Sequence, residues 1–276
     1  MNSKTDFFLG PCVLESQDLV LEVAAHLAQL QEKFSDRANL YFKGSFDKAN
    51  RSSYDSYRGP GLEEGLKLLK MVKEKLKLKT ITDFHLPEQA MTIAQEVDVL
   101  QVPAFLCRQT DLIASGAQAC ALHQRKLKIK KGQFLSPQEA QNIVEKAAHW
   151  LSKDHIMLTE RGTSFGYNHL IVDMSSFQVM KSFGVKVIHD ATHCVQRPGG
   201  RGSSTGGAKD QLLTLLKAAT AAGADGFFLE VHPNPARALS DRETQISLDQ
   251  IEMIISDTLQ LKEAVQGLSM NQLELK

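Results

Sequence analysis

The chain has 276 residues, 42% of them hydrophobic, with 32 Lys and Arg against 32 Asp and Glu. That length supports one sizeable core, and α/β barrels of roughly 250 residues fold as one unit, so residues 1–276 are read as a single domain. Zero net charge removes the basic excess on which phosphate-neutralising nucleic-acid binders rely, and no stretch approaches ~20 apolar residues, so neither a nucleic-acid partner nor a membrane span is expected.

In chain order, Met1 to Asp6 lack the apolar run of a signal peptide. Cys12, Cys107, Cys120 and Cys194 form no CxxC pair, which suits a reducing cytoplasm and argues against a disulfide framework. β-like runs occur at 7–9, 40–43, 80–83, 97–102, 127–130, 156–159, 185–189 and 226–230. Most are continuous apolar runs, as for parallel strands buried on both faces. Between them lie helix-like segments. Ser16 precedes an apolar stripe of Leu19, Val23, Leu27 and Leu30, and Leu62, Leu66, Leu69, Val72 and Leu76 form a second. Ser136, Pro137 and Glu139 carry a capping box. Residues 211–222 read as a helix that Gly223 ends, and 248–261 as the last one. The step between the third and fourth β-like runs is short, so that connection is expected to be abbreviated. The polar tail beyond Leu268 is expected to be mobile. Eight β-like runs alternating with helices predict a (β/α)8 TIM barrel. An open doubly wound sheet is the alternative, but no GxGxxG follows an early run.

Barrel active sites form at the C-terminal ends of strands, and every run here ends in polar residues while the runs themselves are apolar. Two subsets stand out. Lys43, Lys48, Arg51, Arg108, Lys131 and Arg161 are basic; brought together, they predict an anionic ligand bearing phosphate or carboxylate groups. Singly, each reads equally well as a solvated surface charge. Cys12, His193, Glu230 and Asp241 offer sulfur, nitrogen and oxygen donors that suit one divalent metal, Fe2+, Zn2+, Mn2+ or Co2+. Their dispersion in sequence is weak support, and Cys12 alone reads as a small buried hydrophobe. His193 reads equally as a general base or a core histidine. His189 lies inside a β-like run and is assigned to packing. The glycine-rich stretch 198–207 reads as a loop that closes over a ligand, as an anion-binding helix start, or as an ordinary mobile loop.

Longer strings narrow the reading. FDKANRSS at 46–53, YRGPG at 57–61, QVPAFLCRQTD at 101–111, KKGQF at 130–134, ERGTSFGY at 160–167, DATH at 190–193 and EVHP at 230–233 resemble the 3-deoxy-D-manno-octulosonate 8-phosphate synthases. The resemblance runs from about residue 10 to about residue 251. It implies a cytoplasmic, homotetrameric (β/α)8 barrel. The implied reaction condenses phosphoenolpyruvate with D-arabinose 5-phosphate and water, giving the eight-carbon sugar-acid phosphate and inorganic phosphate, in lipopolysaccharide precursor synthesis.

By position in these motifs, the resemblance implies that Lys48, Arg108, Lys131 and Arg161 hold phosphoenolpyruvate, with Gln133 nearby. Asn50, Arg51 and Ser52 would hold arabinose 5-phosphate, and Lys43 and Asp83 would line the pocket. Cys12, His193, Glu230 and Asp241 match the ligands of the metal-dependent class; the metal-independent class carries Asn at the Cys12 position. Lys48, Asn50, His193 and Asp241 are the expected catalytic residues, with Lys48 acting by charge rather than through a Schiff base. The related 3-deoxy-D-arabino-heptulosonate 7-phosphate synthases carry Lys-Pro-Arg-Thr-Ser where this chain has Lys48-Ala49-Asn50-Arg51-Ser52-Ser53, which favours the five-carbon acceptor. The chain departs from the pattern in a longer 117–128 segment and in His169 where Asn is expected. A non-catalytic sugar-phosphate sensor is the rival reading, and it leaves the four metal-type residues unexplained.

Overall fold

The computed structural model describes residues 4–51, 53–197 and 206–269. Among the described residues, eight barrel strands alternate with eight α-helices. They are β1 (Thr5–Gly10), α1 (Gln17–Lys33), β2 (Ala38–Lys43), α2 (Leu62–Leu76), β3 (Lys79–Asp83), α3 (Gln89–Glu96), β4 (Val99–Val102), α4 (Thr110–His123), β5 (Lys126–Lys130), α5 (Ala140–Ala148), β6 (Ile156–Glu160), α6 (Ser176–Lys181), β7 (Lys186–Asp190), α7 (Leu212–Ala221), β8 (Gly226–His232) and α8 (Ile251–Gln266). Each strand pairs in parallel with the next, and β8 pairs with β1 through Phe8↔Phe228 and Gly10↔Glu230. The sheet therefore closes, which decides for the barrel over the open sheet.

The capping signals work as the sequence indicates. Ser16 Oγ accepts from the Leu19 amide at 3.2 Å at the start of α1. Ser136 and Glu139 exchange backbone and side-chain bonds at 2.9 and 3.3 Å, although regular helix begins only at Ala140. The short third connection still holds the eight-residue helix α3. The fourth run begins at Val99 rather than 97, because Val97 donates to Ile93 O and closes α3. The long 117–128 segment is taken up by the end of α4, which stops where Gln124 turns left-handed at φ 54°.

The core has two compartments. One lies between barrel wall and helices, where Val20, Val23 and Leu27 of α1 and Leu66, Leu69 and Val72 of α2 are buried. The other plugs the barrel itself: Phe8, Tyr41, Ile81, Val99, Met157, Ile188 and Phe228. Side chains alternate along each strand, so residues two further on from this plug stand above it. Those are Gly10, Lys43, Asp83, Gln101, Thr159, Asp190 and Glu230, the floor of the site.

No helix among the described residues is long and apolar enough to cross a membrane. All four cysteines are buried and free.

Candidate active site

Above the plug lies a cavity of about 710 Å³. Lys43, Lys48, Asn50, Arg51, Asp83, Gln133, Arg161, His193, Glu230 and Asp241 line it, so the structure brings most of the expected residues to one place. Cys12 sits at its edge.

Gly10 ends β1 because no side chain fits there: a Cβ would stand 2.0 Å from the Lys43 carbonyl oxygen. The close approach places Cys12 against β2, where Lys43 Nζ donates to Cys12 O at 3.0 Å. Lys43 Nζ also donates to Ser45 Oγ at 2.9 Å and to Glu230 Oε1 at 3.3 Å. Ser45 Oγ in turn donates to Asp83 Oδ1 at 2.6 Å and accepts from Lys48 Nζ at 3.2 Å. Burial alone would raise the Asp83 carboxyl; Lys43, His85 and Lys48 outweigh it and hold it well below the usual range.

On the opposite wall, Asp190 accepts from Lys130 Nζ at 2.7 Å and contacts His193 Nδ1 at 3.0 Å. This second contact aims the other ring nitrogen at the carboxylates. His193 Nε2 stands 3.5 Å from Glu230 Oε1 and 3.6 Å from Asp241 Oδ2. Cys12 Sγ lies 3.5 Å from Asp241 Oδ2. One donor atom from each of Cys12, Glu230 and Asp241 falls within 4.8 Å of the others. Asp241 is left-handed at φ 47°, a conformation short acidic residues tolerate, and Gln196 Nε2 donates to its Oδ2 at 3.0 Å.

Three observations fit this group to a divalent cation. The donors mix thiol, imidazole and carboxylate. Glu230 Oε2 is buried with no partner. Burial would raise the Glu230 carboxyl, but His193, Lys43 and Lys48 pull it down to about 2, so it is anionic and ready to ligate. The Cys12 thiol is the opposite case. Burial, with Asp241 and Glu230 nearby, pushes it up, and a cation would favour the thiolate.

Arg161 carries the anion-binding character. It is buried, donates to Gln196 Oε1 at 3.2 Å, and its Nη1 has no partner. Among the described residues no carboxylate lies within ion-pair distance of it. Burial accordingly lowers its guanidinium.

Two expected residues do not reach the cavity. Lys131 is buried on the outer side of the wall, where Nζ donates to Thr163 Oγ1 at 3.0 Å and lies 3.6 Å from Glu160. Arg108 is exposed and lines a separate surface depression with Glu139, Asn142 and Lys146. Ser52 and residues 198–205 of the glycine-rich stretch lie outside the described residues. Conversely, Ser45, Gln101, Gln196 and Ser240 belong to the site or its support without having been singled out, and His85, Lys130 and Asp190 do so as strand-end polar residues to which the sequence gives no role. For Lys130 and Asp190 the signal was the two-residue alternation up β5 and β7; nothing local marked Gln196 or Ser240.

A model of the DAHP synthetase I family matches residues 1–267. A protein of Fusobacterium nucleatum named 2-dehydro-3-deoxyphosphooctonate aldolase is 47% identical over 258 residues, 94% of this chain and 90% of its own. Proteins of the same name from Cyanothece sp. and Syntrophotalea carbinolica are 46% and 44% identical, covering 93% and 96% of this chain and 91% and 94% of theirs. The buried unpaired Arg161 and the thiol, imidazole and carboxylate cluster thus stand in a chain that belongs to the DAHP synthetase I family and, within it, to the 2-dehydro-3-deoxyphosphooctonate aldolases.

Proposed function

We propose that the chain condenses phosphoenolpyruvate with D-arabinose 5-phosphate and water to 3-deoxy-D-manno-octulosonate 8-phosphate and inorganic phosphate, a step in lipopolysaccharide precursor synthesis. The observation that carries this is Arg161: a buried guanidinium with a free donor, facing the same cavity as Lys48 and Lys130. An unpaired buried cation is costly unless an anion arrives to pair with it.

Lys48, Lys130, Arg161 and Gln133 hold the phosphate and carboxylate of the enol phosphate. Asn50 and Arg51 take the sugar phosphate at the mouth, with Ser52 assigned there by resemblance. Holding both reactants in one cavity converts a bimolecular encounter into an oriented one. C3 of the enol phosphate attacks the aldehyde carbon, forming the C–C bond while positive charge develops at C2. Water adds at C2 and gives up a proton, which we assign to the Asp241 carboxylate; His193 contributes by orientation, its Nδ1 held by Asp190 and its Nε2 turned to Glu230 and Asp241. The hemiketal phosphate then loses phosphate by C–O cleavage. Lys48 stays an ammonium throughout: burial would lower it, but the carboxylates of Glu230 and Asp83 drive it the other way, so it acts by charge. Cys12, His193, Glu230 and Asp241 would hold a divalent metal, Fe2+, Zn2+, Mn2+ or Co2+, which supplies positive charge against the aldehyde oxygen.

The deciding experiment follows phosphate release with both substrates, with chelator and with metal restored. Release that stops on chelation and returns with metal supports both the reaction and the metal set. Release indifferent to chelation keeps the reaction and removes the metal. Cys12→Asn separates the roles: chelator-insensitive activity assigns the cation to scaffolding, and loss of activity in a folded variant assigns it to chemistry. The reading includes a cytoplasmic homotetramer, and sedimentation equilibrium reads the assembly mass.

A further inference from the structure

Lys128 is a lysine in the middle of the barrel plug. It is fully buried on β5, with its Nζ 4.7 Å from the Phe228 ring centroid and 5.2 Å from that of Phe8. Among the described residues no carboxylate lies within ion-pair distance of it. Its one hydrogen bond among the described residues goes to Gln101 Oε1 at 2.9 Å. Burial, with Lys130 alongside, pushes its ammonium well below the ordinary lysine range, and a methionine would fill the same space with no amine to desolvate. Packing therefore gives no reason for a lysine here.

Gln101 supplies the reason. It is paired in register with Asp83 on β3 and with Lys128 on β5, and it lines the cavity. A glutamine amide has a donor end and an acceptor end of nearly the same shape. Left free, it would turn either one toward a ligand. Lys128 holds the oxygen from below, so the nitrogen is the end left for the cavity. An anionic substrate needs a donor there, and the acceptor end would repel it.

We propose that Lys128 is a positioning residue for the phosphorylated enol acid: by fixing Gln101 Oε1 it makes Gln101 Nε2 a permanent donor to that substrate. This rests on the cavity being the site of the condensation, which the wild-type assay decides alone. The test is steady-state kinetics of Lys128→Met, Gln101→Met and the double variant, each with a thermal melt. Either single change raises the KM for phosphoenolpyruvate about tenfold, the effect of one hydrogen bond to a charged group. In both, kcat stays within about twofold and the KM for arabinose 5-phosphate is unmoved. The double variant is no worse than either single one, because both remove the same bond. It also melts at or above the wild-type temperature, since no buried polar group is left unpaired. Penalties that multiply in the double variant would overturn the proposal. So would a Lys128→Met enzyme with wild-type kinetics, or a double variant that melts lower with kcat and KM disturbed together.

Discussion

Arg51 Nη1 donates a 2.7 Å hydrogen bond to Ser240 Oγ, and the same oxygen stands 2.9 Å from Cys12 Sγ. One hydroxyl therefore joins the arginine assigned to the sugar phosphate and the thiol of the metal set. The other terminal nitrogen of Arg51 is buried without a partner, so Ser240 is the main side-chain anchor of that guanidinium. Ser240→Ala should raise the KM for arabinose 5-phosphate about five- to thirtyfold, the effect of 1 to 2 kcal/mol, and leave the KM for phosphoenolpyruvate near wild type. Ser240→Thr keeps the hydroxyl and should restore binding. Equal losses for both substrates would show that Ser240 supports the cavity generally rather than Arg51.

Lys130 and Lys131 are neighbours in sequence that serve opposite sides of the barrel wall. Lys130 reaches Asp190, approaches His193 Nδ1 at 3.3 Å and lies over the Phe228 ring. Lys131 faces Glu160, whose carboxyl burial raises despite that lysine. The two substitutions should therefore fail differently. Lys130→Met should lower kcat/KM by two orders of magnitude or more with a modest change in melting temperature, since His193 still pairs with Asp190. Lys131→Met leaves a buried carboxylate without its cation and should cost about 3 kcal/mol of stability. Melts and turnover measured in parallel check this. A Lys131→Met enzyme with a wild-type melt and lost substrate binding would reverse the assignment.

The same pair shows what was legible in the sequence. The eight apolar runs and their C-terminal polar residues are local patterns, and they led to the barrel and to the mouth at which Lys43, Asp83, Arg161, His193 and Glu230 meet. Which of two adjacent lysines faces inward depends on strand register, and a slip of one residue exchanges the faces. Place after the strand and motif position select Lys131; the alternation Lys126, Lys128, Lys130 selects Lys130. Arg108 follows β4 in a segment that turns outward before α4, and no composition signal separates that path from one turning in. Ser240 and Gln196 lie in loops where polar residues are ordinary. Only the fold brings them to Arg51, Cys12 and Asp241. Lys128 was hidden by its type, because a lysine in a strand reads as exposed until the barrel closes around it.

His189 offers a prediction about stability rather than turnover. Its side chain points out of the barrel toward α6, with the Phe177 ring 5.9 Å away edge-on and Cys194 Sγ 3.9 Å from Nε2. Nδ1 is buried without a partner. Burial lowers the imidazole to about 4 from an ordinary 6.5, with the Asp190 charge opposing it only in part. The unfolded chain thus takes up a proton below pH 6.5 that the folded chain refuses until about pH 4. The contribution of a neutral His189 is intact above pH 6.5 and is lost progressively as pH falls toward 4, at about 1.4 kcal/mol per pH unit and about 3 kcal/mol in all. Urea unfolding at pH 7.5 and 4.5, run on wild type and on His189→Leu, isolates this group from the acidic residues, which titrate in both proteins. Wild type should lose about 2 to 3 kcal/mol more than the variant between those pH values. Equal losses would mean that His189 accepts its proton in the folded state near the ordinary value, and that the wall between β7 and α6 admits water to Nδ1.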